Sequence, residues 1–147
     1  MFEPKNKFEM AFTDRDSLRF GLNTFMGKTD GYYLLSAPSI LVSGYGETEA
    51  DARISFKIGF DSFCTDILHL REIHKISELQ RLGWKHYGFG HQYLSKTLNF
   101  KDIPVFRFNP DFEIKTNYIN LSFEQTKQNK RPYFFDDLNH LPFGKLP

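Results

Sequence analysis

The sequence predicts an α+β fold in which a mainly antiparallel sheet carries one long amphipathic helix across a face. Two observations lead there. After Thr48, the residues Ala52, Phe56, Phe60, Phe63, Ile67 and Leu70 recur at three- and four-residue steps, the spacing of a single helix face. Around that stretch, runs of strand length rich in Phe, Tyr, Ile and Val alternate with turn signals.

The elements follow in order. "KFEMAFT" (7–13) reads as a strand closed by the polar "DRD". "SLRFGLNTFM" (17–26) is open between helix and strand, because Leu18, Leu22 and Phe25 keep helical spacing while Gly21 disfavours a helix. "KTDG" (28–31) is a turn, Tyr32 to Leu35 form a strand that stops before Pro38, and "SILVSGYG" (39–46) forms a return strand. Thr48 with Asp51 three residues on makes a capping-box-like helix start, in which the hydroxyl accepts an orphan N–H and the acid sits by the positive end of the dipole. Ile54 and Ile58 are expected to widen the apolar stripe of this helix. "REIHKISELQRLGWK" (71–85) continues helically or starts a second helix, and Gly83 is its natural stop. From residue 86 onward "HQYLSKTLNF", "IPVFRF" and "FEIKTNYINLSF" read as strands, "EQTKQNKRP" (124–132) as an exposed loop, and "YFFDDLNHLPFGKLP" as a short helix or an extended tail.

Composition narrows the function classes. The 147 residues are 40% hydrophobic and 25% charged, ordinary values for a globular chain, with 17 Phe supplying apolar area through flat rings. A formal net charge of +1 gives no overall field toward nucleic acid or an anionic membrane, so binding of either kind has to be local. The single Cys64 rules out an intrachain disulfide and a cysteine-based zinc cluster. No apolar run approaches the roughly 20 residues of a membrane helix, and "MFEPKNKFEM" lacks the apolar core of a signal peptide, so a cytoplasmic protein without membrane contact is expected.

"GYYLLSAPSILVSGYGETEADA" (31–52) is thus a β-β-α unit: strand, Pro38 crossover, return strand, Gly loop and capped helix. In Tyr32 and Tyr33, Pro38, "VSGYGET" and "TEADA" it resembles the HicB-like antitoxin family over about residues 30–70. The resemblance implies a partial RNase H-like fold without that fold's metal-binding carboxylates, acting as an interaction module of a bacterial or phage toxin–antitoxin pair. Residues 1–75 would form this unit and 76–147 a β-rich second half, either separate or part of the same domain. A weaker echo lies in "LQRLGWKHYGFGHQYLSK" (79–96), which is similar to the HicA-like toxin pattern, a double-stranded-RNA-binding type of fold whose His serves in RNA cleavage; His91 holds the matching position.

Three functions are weighed from this. The leading one is a non-enzymatic interaction protein with Tyr32 and Tyr33 in its scaffold or interface and a protein partner, or a second copy in a homodimer. The second binds or cleaves RNA, or binds DNA, with His91 moving a proton and Lys85, Lys96, Lys127, Lys130, Arg131 and Tyr133 on backbone and bases. The third is a self-associating structural protein. No cofactor and no metal are expected: His69 and His74 are five apart and lie on different helix faces, and Asp136, Asp137 and His140 read as a capped turn. Cys64, next to Phe63 in the amphipathic helix, reads as a small packed side chain.

Overall fold

The computed structural model describes residues 8–87, 92–99 and 113–125. Its strands are β1 (Phe8–Thr13), β2 (Ser17–Thr29), β3 (Tyr32–Ala37), β4 (Val42–Gly46), β5 (Lys85–His86), β6 (Tyr93–Thr97) and β7 (Lys115–Glu124); its helices are α1 (Glu49–Leu68) and α2 (Glu72–Arg81). All the strand pairs among the described residues are antiparallel, and the architecture is the α+β class expected, with one long helix on the sheet. Among the described residues no helix is long and apolar enough to cross a membrane.

β2 is the spine. Leu18 to Gly21 pair with both β7 and β1, and Phe25 and Met26 pair with both β7 and β3. A strand has two hydrogen-bonding edges, so β7 takes one of them while β1 and β3 share the other, end to end. β6 and β5 extend the sheet beyond β1, and β4 extends it beyond β3. The described strands from 76–147 therefore pair directly with those from 1–75, β6 on β1 and β7 on β2.

The segment left open between helix and strand is β2. Its register with three neighbours outweighs the helical spacing of Leu18, Leu22 and Phe25, and Gly21 then serves close packing. The return strand begins later than expected: Pro38–Ile40 form a 3-10 turn and Leu41 adopts a left-handed conformation (φ 56°), so β4 starts at Val42. Pro38, with φ fixed near the helical value, starts that turn.

α1 begins as predicted, Thr48 Oγ1 accepting the Asp51 N–H at 3.0 Å. Ala52, Phe56, Phe60 and Ile67 are buried on the sheet, where Phe20 meets Phe60 and Trp84 edge to face at 6.1 and 5.6 Å. Ile54 and Ile58 do not widen the stripe: they are 53% and 49% exposed. The stripe is widened instead by Lys57, Asp61, Cys64 and Leu68. At about 100° per residue, 54 and 58 fall just past its end. Leu70 is half-exposed because α1 has ended at Leu68 and the chain has turned away. Gly83, at φ 100°, terminates α2 in the left-handed conformation that favours glycine.

Where β3 and β1 abut on β2, a gap opens in the ladder opposite Leu22 to Thr24. Glu9 fills it. Its fully buried carboxylate accepts the Asn23 backbone N–H at 2.7 Å, the Asn23 side-chain amide at 3.2 Å and the Ser39 hydroxyl. Ser39 is held in turn by the Trp84 indole, whose N–H donates to the Ser39 carbonyl at 3.1 Å. Burial pushes the Glu9 carboxyl above its usual range, against the opposing pull of these donors and of Lys96.

Candidate functional site

Strand alternation puts Glu9, Ala11 and Thr13 on the helix-covered side of β1, with their partners Leu18 and Phe20. Phe8, Met10 and Phe12 take the other side, with Arg19 and Gly21. That is an inverted strand. It buries its small and polar residues and leaves its large apolar ones facing out: Glu9 is 0% exposed and Phe8 48%. In an ordinary half-buried strand the apolar set faces the core.

Of the outward set, Met10 and Phe12 line a cleft of about 430 Å³ whose walls also include Arg19, Tyr93, Asn120 and Ser122. β6 places Tyr93 directly opposite Phe12, and the rings meet edge to face at 4.9 Å. The Arg19 guanidinium lies 4.2 Å from the centre of the Phe12 ring, close enough for a cation–π contact. Gly21 forms the floor: a Cβ there would stand 2.4 Å from the Tyr118 hydroxyl and 3.2 Å from Asn120 Oδ1. The missing side chain lets Tyr118 and Asn120 of β7 close over β2. Burial first, and then the Glu9 charge, raise the Tyr118 hydroxyl above its ordinary pKa, so it stays a neutral donor and acceptor. Flat apolar walls, one cation and several amide and hydroxyl groups suit non-covalent recognition.

The residues singled out from the sequence are placed as follows. Tyr32 is half-exposed at the β2–β3 turn, opposite Thr29. Tyr33 is partly buried against the main core, with the Lys28 ammonium 5.4 Å from its ring. Lys85 is exposed on β5, whereas Lys96 stands opposite Glu9 in register and donates to the Leu82 carbonyl at 2.7 Å. The structure does not bring Tyr32, Tyr33, Lys85 and Lys96 into the cleft. His91, Lys127, Lys130, Arg131 and Tyr133 lie outside the described residues, as do Asp136, Asp137 and His140. Cys64 is buried on α1, and burial together with the nearby Asp61 carboxylate pushes its thiol well above the usual range.

Phe12, Arg19 and Tyr93 were not legible as a set, being far apart in the chain. One signal was present. In "FEMAFT" the alternation of Phe, Met and Phe with Glu, Ala and Thr marks an apolar face, and the acid sits on the opposite one. No family model, curated protein or solved structure matches the chain.

Proposed function

We propose that this chain is a non-enzymatic interaction protein, HicB-like in kind and cytoplasmic, that holds a protein partner in the cleft of Phe12, Arg19 and Tyr93. One observation carries the reading: β1 turns Met10 and Phe12 into the cleft, on the face opposite buried Glu9, Ala11 and Thr13. Aromatic residues, Met and Arg are the side chains enriched in protein interfaces, and exposed apolar patches of this kind mark partner surfaces. Tyr93, 47% exposed beside Phe12, is the anchor, and Arg19 favours a partner with a carboxylate next to its own apolar group. The near-neutral chain has no broad positive field for a nucleic acid, and the Lys96 ammonium is engaged by Leu82.

The test compares wild type with Tyr93→Ala and Arg19→Ala as baits, with and without nuclease. A protein captured by wild type, resistant to nuclease and held about thirtyfold more weakly by Tyr93→Ala, as befits loss of a hot-spot residue worth about 2 kcal/mol, supports the proposal. Capture that both variants leave unchanged, or RNA lost on nuclease treatment with no protein retained, overturns it. The RNA result would transfer attention to the basic residues after 126.

A further inference from the structure

A second recess lies on the helix-covered side of the same hairpin. It is a groove of about 790 Å³ between the β1–β2 turn and α2, lined among others by Thr13, Asp14, Arg15, Ile73 and Ile76. This volume lies in the range of small-molecule sites.

The groove is held in shape by a buried cation. Lys75, 3% exposed, donates to the Arg15 and Asp14 carbonyls at 3.1 and 3.5 Å and to Glu72 at 3.4 Å, which ties the turn to α2. The acids around it are engaged. Asp14 accepts the Arg15 N–H at 2.7 Å and the Gln92 amide at 3.4 Å, and Glu72 is paired with Lys75. Two further groups matter. Among the described residues the exposed Arg15 guanidinium has no ion pair or hydrogen bond, and the buried Thr13 Oγ1 has no hydrogen-bond partner. A buried hydroxyl without a partner is uncommon, because water has been removed and nothing has replaced it. Beside these two groups, Ile73 and Ile76 lie on one face of α2, and Ile73 is 70% exposed.

We infer that this groove binds a small amphiphilic carboxylate, with its anionic end on Arg15 and Thr13 and its hydrocarbon body along Ile73 and Ile76. A guanidinium fork and one hydroxyl donor match the two oxygens of a carboxylate. Asp14 and Glu72, which also line the groove, repel a dianion such as phosphate more strongly than a monoanion, and a purely polar ligand leaves the isoleucines wet. The free acid and the C-terminal carboxylate of an apolar peptide share this chemistry. The inference is independent of the partner cleft, which opens on the opposite side of β1.

The test is an NMR titration of the full chain with hexanoate, hexanamide and hexylamine, followed at the Ile73 and Ile76 methyls, and with a Leu-ending tripeptide carrying a free or amidated C-terminus. Saturable shifts with hexanoate, at least about tenfold weaker with the amide and the amine, are expected. Preference for the free tripeptide over hexanoate identifies a peptide end as the source, and the reverse identifies a free acid; both support the site. Arg15→Gln, at an exposed position, should weaken hexanoate about tenfold. Thr13→Val should weaken it too while leaving the thermal midpoint no lower, a combination that a merely structural threonine would not give. Equal binding of acid and amide, no shifts at Ile73 and Ile76, or affinities untouched by both substitutions would overturn the inference.

Discussion

The contact of β4 with α1 can be tested at one atom. A Cβ added at Gly44 would stand 2.1 Å from the Phe56 backbone N, 2.5 Å from the Ala52 carbonyl O and 2.6 Å from Phe56 Cα. All three belong to the helix backbone, so no side chain can swing aside. Ordinary contact requires α1 to retreat by roughly 1 Å or more. That retreat opens the packing of Ala52, Phe56 and Phe60, all 1% exposed or less. Overpacking a core typically costs about 1–3 kcal/mol, and clash against rigid backbone belongs at the upper end. Gly→Ala returns about 0.5–1 kcal/mol through the unfolded chain, so Gly44→Ala should lose about 2 kcal/mol. The control is Gly59→Ala within α1, whose Cβ would meet Val42 Cγ1 at 3.3 Å and the Ser43 carbonyl O at 3.7 Å. There the gain in helix propensity, up to about 1 kcal/mol, offsets the tight methyl contact and leaves stability nearly unchanged. Urea denaturation with equal m-values separates the two. If Gly44→Ala proved as stable as Gly59→Ala, the close approach of β4 to α1 would be refuted.

Two further outcomes follow from the buried charges. The Glu9 carboxyl is raised by burial, so the folded state keeps its proton to higher pH than the unfolded chain; the stability of the protonated form is present below the ordinary carboxylate range and declines as pH rises through the raised value. Glu9→Gln should remove that decline, read as wild-type and variant urea midpoints converging toward acid and separating toward neutral pH; parallel profiles would refute the assignment. The Lys57–Asp61 pair is buried on α1, and Asp61→Asn should lose about 3 kcal/mol at neutral pH by leaving the Lys57 ammonium without its counter-charge. The double change Lys57→Met with Asp61→Leu should recover most of that loss in a double-mutant cycle.

What the sequence made legible was local. The Tyr32 strand, the Pro38 crossover, the Thr48 cap and the Gly83 stop each depend on neighbours within a few residues, and each appears. β2 could not be assigned from its own letters, because its strand state is set by β1, β3 and β7 together. Ile54 and Ile58 misled because hydropathy counts them as core, whereas Lys57 and Asp61 enter the core by pairing with each other. Glu9 carried no warning: its partners lie 14 and 30 residues away, and they converge only because β3 and β1 meet end to end. The cleft was hidden for the same reason, since Arg19, Tyr93 and Asn120 reach it from three strands.

The inverted β1 also bears on how its register is chosen. A slip of one residue would exchange the faces of β1, carrying Phe8, Met10 and Phe12 toward α1 and Glu9, Ala11 and Thr13 outward. Hydrophobic pattern alone favours that slipped arrangement. Against it stands Glu9, whose carboxylate meets the Asn23 N–H and the Ser39 hydroxyl only in the observed register. At the far end of the strand, Lys75 fixes the carbonyls of the Asp14–Arg15 turn from α2. Buried polar groups add little net stability, and their best-attested use is to select one arrangement among competing ones. Here the arrangement selected is the one that keeps Met10 and Phe12 on the face away from α1, lining the cleft with Arg19 and Tyr93.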